Sequence, residues 1–160
     1  MHQEESMSLP DAESLYYQLL ECFYTDEDRV ASKAVAVQLK SLLEAQPEVA
    51  ESIRGDEINL LIAEIDGNLK EAIRYRESEI RRILELQLAT KDTPQWDYVR
   101  RRYDFSDVGD QLDLLAILFD EDGDTERAIS TLNESKRFCE SHGIAFDGQD
   151  ILDELQANAH

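Results

Sequence analysis

Residues 112–143, LDLLAILFDEDGDTERAISTLNESKRFCESHG, constrain the fold more than any other stretch of this chain. Leu112, Leu115, Ala116 and Phe119 recur at helical spacing and form one apolar stripe. Gly123 ends that helix, and Asp124 is suited to cap the next. Ala128, Ile129, Leu132 and Ser135 then line the facing side of a second helix. Small side chains at Ala116 and Ala128 let the two axes approach closely, and Phe119 and Leu132 fill the space beside them. Lys136 and Arg137 sit near the second C-terminus, where positive charge is favoured. The stretch predicts an antiparallel hairpin with Ala116 against Ala128–Leu132.

This pattern resembles the tetratricopeptide repeat. In that family helix A carries a large apolar residue, a leucine, a small residue and an aromatic, here Leu112, Leu115, Ala116 and Phe119. Helix B follows a glycine turn with an alanine, a bulky apolar residue and a second small one, here Ala128, Leu132 and Ser135. Leu112 and Glu140 stand where the family has its tryptophan and closing proline. A weaker copy covers residues 50–80, where Gly67 precedes Ala72-Ile73 as Gly123 precedes Ala128-Ile129. The two glycines are 56 residues apart, not the roughly 34 of an undecorated array. The resemblance implies a degenerate, all-α stack of antiparallel helix hairpins that holds a peptide in a groove lined by helix A.

Helical periodicity continues along the rest of the chain and gives about eight helices covering roughly 65–75% of residues, above the globular average. They are expected at about 10–24, from Asp28 or a neighbouring cap to about 45, 47–65 with a possible break at Gly55, 68–90, a short helix opened by Thr93-Pro94, the hairpin pair, and about 149–157. The last carries Ile151, Leu152 and Leu155 and would cover an exposed apolar edge, as a stacked-helix protein requires. Strand-like alternation is not found. At 160 residues the chain is expected to form a single all-helical domain over 1–160, with 1–9 a disordered tail.

Charge narrows the partners. The net formal charge is −20, which opposes binding to nucleic acid or to an anionic membrane. Residues 1–66 carry a net −11 and 103–160 a net −12, around an Arg-rich 70–102 at +3. That middle segment is read as internal ion pairing or a solvated face, with a patch for an acidic partner as the sharper alternative. No apolar run is long enough for a membrane span, and the polar, acidic start is not a signal peptide. Two cysteines are too few for a disulfide framework, and a cytoplasmic location is expected.

Two constellations stand out as candidate sites. Asp110, Asp113, Ile117 and Asp120 are spaced by 3, 4 and 3 and share a helix stripe. The family resemblance places that stripe on the peptide-facing side of helix A, and three carboxylates there imply a cationic protein or peptide segment. Its bland alternative is a solvated acidic face. Arg76 falls on the apolar face marked by Leu69, Ile73, Ile80, Ile83 and Gln87, and is read as a structural ion pair with Glu79, or as an anion site.

Other motifs carry less. Arg100-Arg101-Arg102 beside Trp96, Tyr98 and Tyr103 would point three ways on a helix, which does not suit nucleic acid. Asp120–Asp124 lacks the spacing of a calcium loop, Cys139 and His142 have no second ligand pair, and Arg54-Gly55-Asp56 is a chance tripeptide inside a helical segment. No metal or cofactor is implied. Of three histidines only His142 lies away from the termini, and no nucleophile or phosphate motif is present. The resulting expectation is a non-catalytic adaptor for a cationic segment. A structural subunit that homo-oligomerises or docks permanently is the alternative, and a carboxylate-based enzyme comes third.

Overall fold

Caps and glycines set most of the helix ends where the spacing puts them. In the computed structural model the backbone is described for residues 9–103 and 105–159, and side chains for 12–103 and 107–159. Among these residues the fold is all-α, with nine α-helices, one π-helical turn and no strand. Helix accounts for 83% of the structure, more than the 65–75% expected, and the end of the helix expected over 10–24 takes π-helical form at Glu21–Thr25. Residues 1–8 of the expected tail lie outside the described residues, and Leu9 opens α1. The chain groups into two compact units divided between Tyr75 and Arg76.

The first unit holds α1 (Leu9–Leu20), the π-turn Glu21–Thr25, α2 (Arg29–Ala45), α3 (Pro47–Ala50), α4 (Ile53–Asp66) and the start of α5 (Leu69–Thr90). Asp28 caps α2 through Ala31 N at 3.0 Å. Leu19, Val35, Leu39, Leu42, Ile58, Leu61 and Ile62 form its core, with α2 packed on both α1 and α4. Buried among them is Arg54, ion-paired with Glu57 and, at 3.3 Å, with Glu13. Its guanidinium also lies 4.5 Å from the Tyr16 ring centroid. Burial acts to lower the Arg54 pKa, but the neighbouring charges, Glu57 foremost, outweigh it, and the net shift is upward.

The expected helix over 47–65 is two helices, and Gly55 is not the break. The break falls at Glu51-Ser52, where Ser52 is extended and its hydroxyl accepts from Gly55 N at 3.1 Å. Gly55 lies in the first turn of α4, pressed against the end of α3. A Cβ there would come within 2.5 Å of the Ala50 carbonyl oxygen and closer still to that of Val49. The glycine permits a close helix-to-helix approach; it does not interrupt a helix. α4 does end in a glycine, Gly67, whose left-handed conformation (φ 71°) recurs at Gly123 (φ 85°).

The second unit holds the rest of α5, α6 (Trp96–Arg102), α7 (Phe105–Glu121), α8 (Thr125–His142) and α9 (Gln149–Asn158). Gln95, not Thr93, is the residue before α6, and it makes no side-chain cap. Thr93 Oγ1 instead donates to Thr90 O at 2.6 Å. Asp124 caps α8 through Arg127 N at 3.1 Å. Arg127 stacks on Phe119 near the turn, and Ser135 Oγ reaches Gly109 O at 3.2 Å far from it, so α7 and α8 run antiparallel. That register sets Ala116 level with Ala128–Leu132, and all three are fully buried. α9 packs on α8 and buries Leu152 and Leu155.

Two substitutions test this packing. Gly55→Ala would raise helix propensity in an isolated helix, yet here it should destabilise by about 1–3 kcal/mol, because backbone atoms must move. Urea denaturation measures the difference, and wild-type stability would contradict the close approach. Ala128→Leu should cost about 1–3 kcal/mol by overpacking the hairpin seam, read as a lower thermal midpoint.

Candidate functional site

The aspartate stripe follows from the orientation of α7. Leu112, Leu115, Ala116 and Phe119 turn inward and are buried, so the residues offset from them by about 100° per position turn outward. Asp110 and Asp120 are exposed, while Asp113 and Ile117 are half-buried. Asp113 Oδ1 accepts a 2.7 Å hydrogen bond from Ser135 Oγ on α8. The Gly109 carbonyl is the hydroxyl's second acceptor, and a hydroxyl has one proton, so the two acceptors compete for it. Asp113 therefore has a role inside the hairpin as well as on the stripe, which spacing on one helix could not reveal.

Electrostatics ties Asp110 and Asp147 to Asp113. Burial raises the Asp113 carboxyl pKa; the Ser135 hydrogen bond opposes it, and the charges of Asp110 and Asp147 add to the rise. Asp147, in the connection between α8 and α9, joins Asp110 in acting on Asp113 and is absent from the stripe that the sequence spacing picks out. An acid in a connecting loop of so acidic a chain carries no local signal. Behind the cluster, burial first and Asp113 second raise the Cys139 thiol, which holds it in the unreactive protonated form. Cys139 Sγ would lie 3.1 Å from a Cβ at Gly109, so both belong to the hairpin seam.

The Arg76 and Glu79 pair keeps the predicted face of α5. Ile73, Ile80, Ile83 and Gln87 are buried, Arg76 is half-buried and Glu79 is buried. Gln111 Nε2 on α7 donates to Glu79 Oε1 at 3.3 Å, and Gln87 Nε2 donates to the Tyr103 carbonyl. These polar groups fasten elements of the second unit to one another.

The remaining motifs resolve into local structure. Arg100 pairs with Asp97 Oδ1 at 3.2 Å, Arg101 Nε donates to the carbonyl of the same residue at 3.1 Å, and Arg102 lies over the Tyr103 ring. Asp120–Gly123 end α7, and Asp124 caps α8. His142 Nδ1 lies 2.8 Å from Phe138 O, its ring stacked on Phe138. Arg54, Gly55 and Asp56 are all buried, so the tripeptide is not displayed. Among the described residues no group of three or more His, Cys, Asp or Glu is placed to hold a metal ion. None of the described helices is long and apolar enough to cross a membrane.

Comparison of the chain with protein-family models, curated proteins and solved structures finds no match.

Because its carboxyl pKa is raised on folding, Asp113 makes the folded chain bind more protons than the unfolded chain between the two pKa values. Stability therefore falls as pH rises through that window. Asp113→Asn keeps an oxygen acceptor for Ser135 and removes the desolvated charge. The expected result is a higher Tm at neutral pH, with the difference closing as pH drops below the ordinary carboxylate range. Calorimetry across that range checks it, and a lower Tm at neutral pH would contradict it.

Proposed function

We propose that this chain is a non-catalytic interaction module of the tetratricopeptide-repeat-like kind, which holds a cationic protein segment against the acidic face of α7. The observation that carries the reading is a row of carboxylates along one face: Asp110 and Asp120 exposed about 15 Å apart on a single stripe of α7, Asp113 between them, and Asp147 acting with Asp110 on Asp113. Their mutual repulsion is relieved by a bound cation, and the net charge of −20 draws such a segment in by long-range attraction. Lysine- or arginine-rich protein segments are the partners this chemistry recognises; nucleic acid and anionic membrane are repelled. Two free cysteines accord with a cytoplasmic setting.

The second reading, a structural subunit that homo-oligomerises or docks permanently, draws on α2. Val30 and Val37 lie two helical turns apart on one face, 82% and 63% exposed. Sedimentation equilibrium of the full chain distinguishes the readings: a concentration-dependent dimer abolished by Val37→Lys would favour the subunit.

The binding reading is tested with a fluorescein-labelled oligolysine peptide and fluorescence anisotropy. Asp113 also serves the hairpin, so the informative variant is Asp110→Asn with Asp120→Asn. It should weaken binding by roughly threefold to tenfold at low salt, leave the circular dichroism spectrum unchanged, and lose its effect as salt screens the charges. Glu4→Gln with Glu5→Gln should bind as wild type does. Equal loss in both variants would mean that net charge alone, and not this face, attracts the peptide.

A further inference from the structure

The second unit also has an open cleft of ≈ 360 Å³ between α5, α7 and α8. Its floor is the buried Ile80, Leu112 and Leu115. Its wall is Leu84 and Leu88, one turn apart on α5 and respectively 37% and 78% exposed. The rim carries the exposed carboxylates Glu77, Glu85 and Glu134 against a single guanidinium, Arg81. Leu88 is thus a large apolar side chain standing in water beside an apolar trough, on a helix whose other outward residues are mostly charged.

We propose that this cleft takes the apolar face of a short, cationic amphipathic helix supplied by another protein. The proposal rests on the reading that the chain holds a cationic protein segment, and it gives such a segment an apolar seat on the Leu112 and Leu115 side of α7, apart from the aspartate stripe. Along α5 the cleft runs from Glu77 to Glu85 and Leu88, about 16 Å at 1.5 Å per residue, which matches three turns of a docked helix. Leucines at i, i+3, i+4 and i+7 would fill it, as in other helix-in-groove complexes. The rim sets the sign of the flanks: lysines or arginines beside the apolar stripe meet three carboxylates. A second copy of this chain is a poor occupant, because each copy brings a net −20.

The test uses the full chain and synthetic peptides of about fourteen residues. One contains only leucine and lysine, with leucines at amphipathic helical spacing. A second has the same composition in an order that breaks the spacing, and a third replaces lysine by glutamate. Anisotropy should show the first bound at least about tenfold more tightly than the second, and the third not bound. Leu84→Gln with Leu88→Gln should cost the first peptide about tenfold and the second nothing. On the wild-type chain, leucine methyl NMR shifts should centre on Leu84, Leu88, Leu112 and Leu115, a readout that does not depend on the variant folding. Equal binding of the first two peptides, or methyl shifts centred elsewhere, would overturn the cleft while leaving the cationic-segment reading in place. Binding of the glutamate peptide would overturn the charge assignment of the rim. If neither lysine peptide nor oligolysine bound at low salt, both readings would fall together.

Discussion

The closeness of α7 to α8 is the constraint on which the second unit depends. Gly109, Ala116, Ala128 and Ser135 keep the seam free of bulk, and Cys139 fits against Gly109. At that separation a serine hydroxyl on one helix reaches the backbone of the other, and Ser135 reaches both the Gly109 carbonyl and the Asp113 carboxylate. A larger residue at any of these places would widen the seam and lose the hydrogen bonds with it. The orientation of α7 follows, and with it the placement of Asp110 and Asp120 in solvent. The acidic face is a consequence of the packing behind it.

The first unit solves a different problem. A guanidinium buried without partners would cost several kcal/mol. Arg54 instead pairs with Glu57 one turn along α4 and with Glu13 on α1, and it stacks on Tyr16. The two carboxylates come from different helices, so this ionic centre links α1 to α4 beside the apolar core that α2 supplies. Gly55, next in sequence, lets the end of α3 close onto the same turn.

Local signals were legible in the sequence, and signals that need a second element were not. Asp28, Asp124, Gly67 and Gly123 lie at helix ends because capping is decided within a few residues of chain. The buried face of α5, including Gln87, follows from periodicity alone. Gly55 reads as a break in the sequence because a glycine that ends a helix and one that admits a neighbouring helix look alike in one dimension. Glu21–Thr25 falls within the helix expected over 10–24, but its π-helical form depends on backbone bonding that apolar spacing does not report. At the candidate site, the stripe of Asp110, Asp113, Ile117 and Asp120 could be read, but Asp113's bond to Ser135 and the nearness of Asp147 depend on how α8 folds back. Leu84 and Leu88 left a trace, widening the apolar arc of α5 beyond one helix contact, without indicating that the arc stays partly in water.

Asp113 joins the hairpin seam to the acidic face, since its carboxyl belongs to both. Titrating its side-chain carbon by NMR, with and without oligolysine, tests that joint role most directly. In the free chain Asp113 should titrate above the ordinary aspartate value, because burial and the charges of Asp110 and Asp147 act on it. Bound oligolysine should bring the titration down, because a cation at this face stabilises the charged form. An Asp113 that titrates like a free carboxylate, and does not respond to the peptide, would contradict that role.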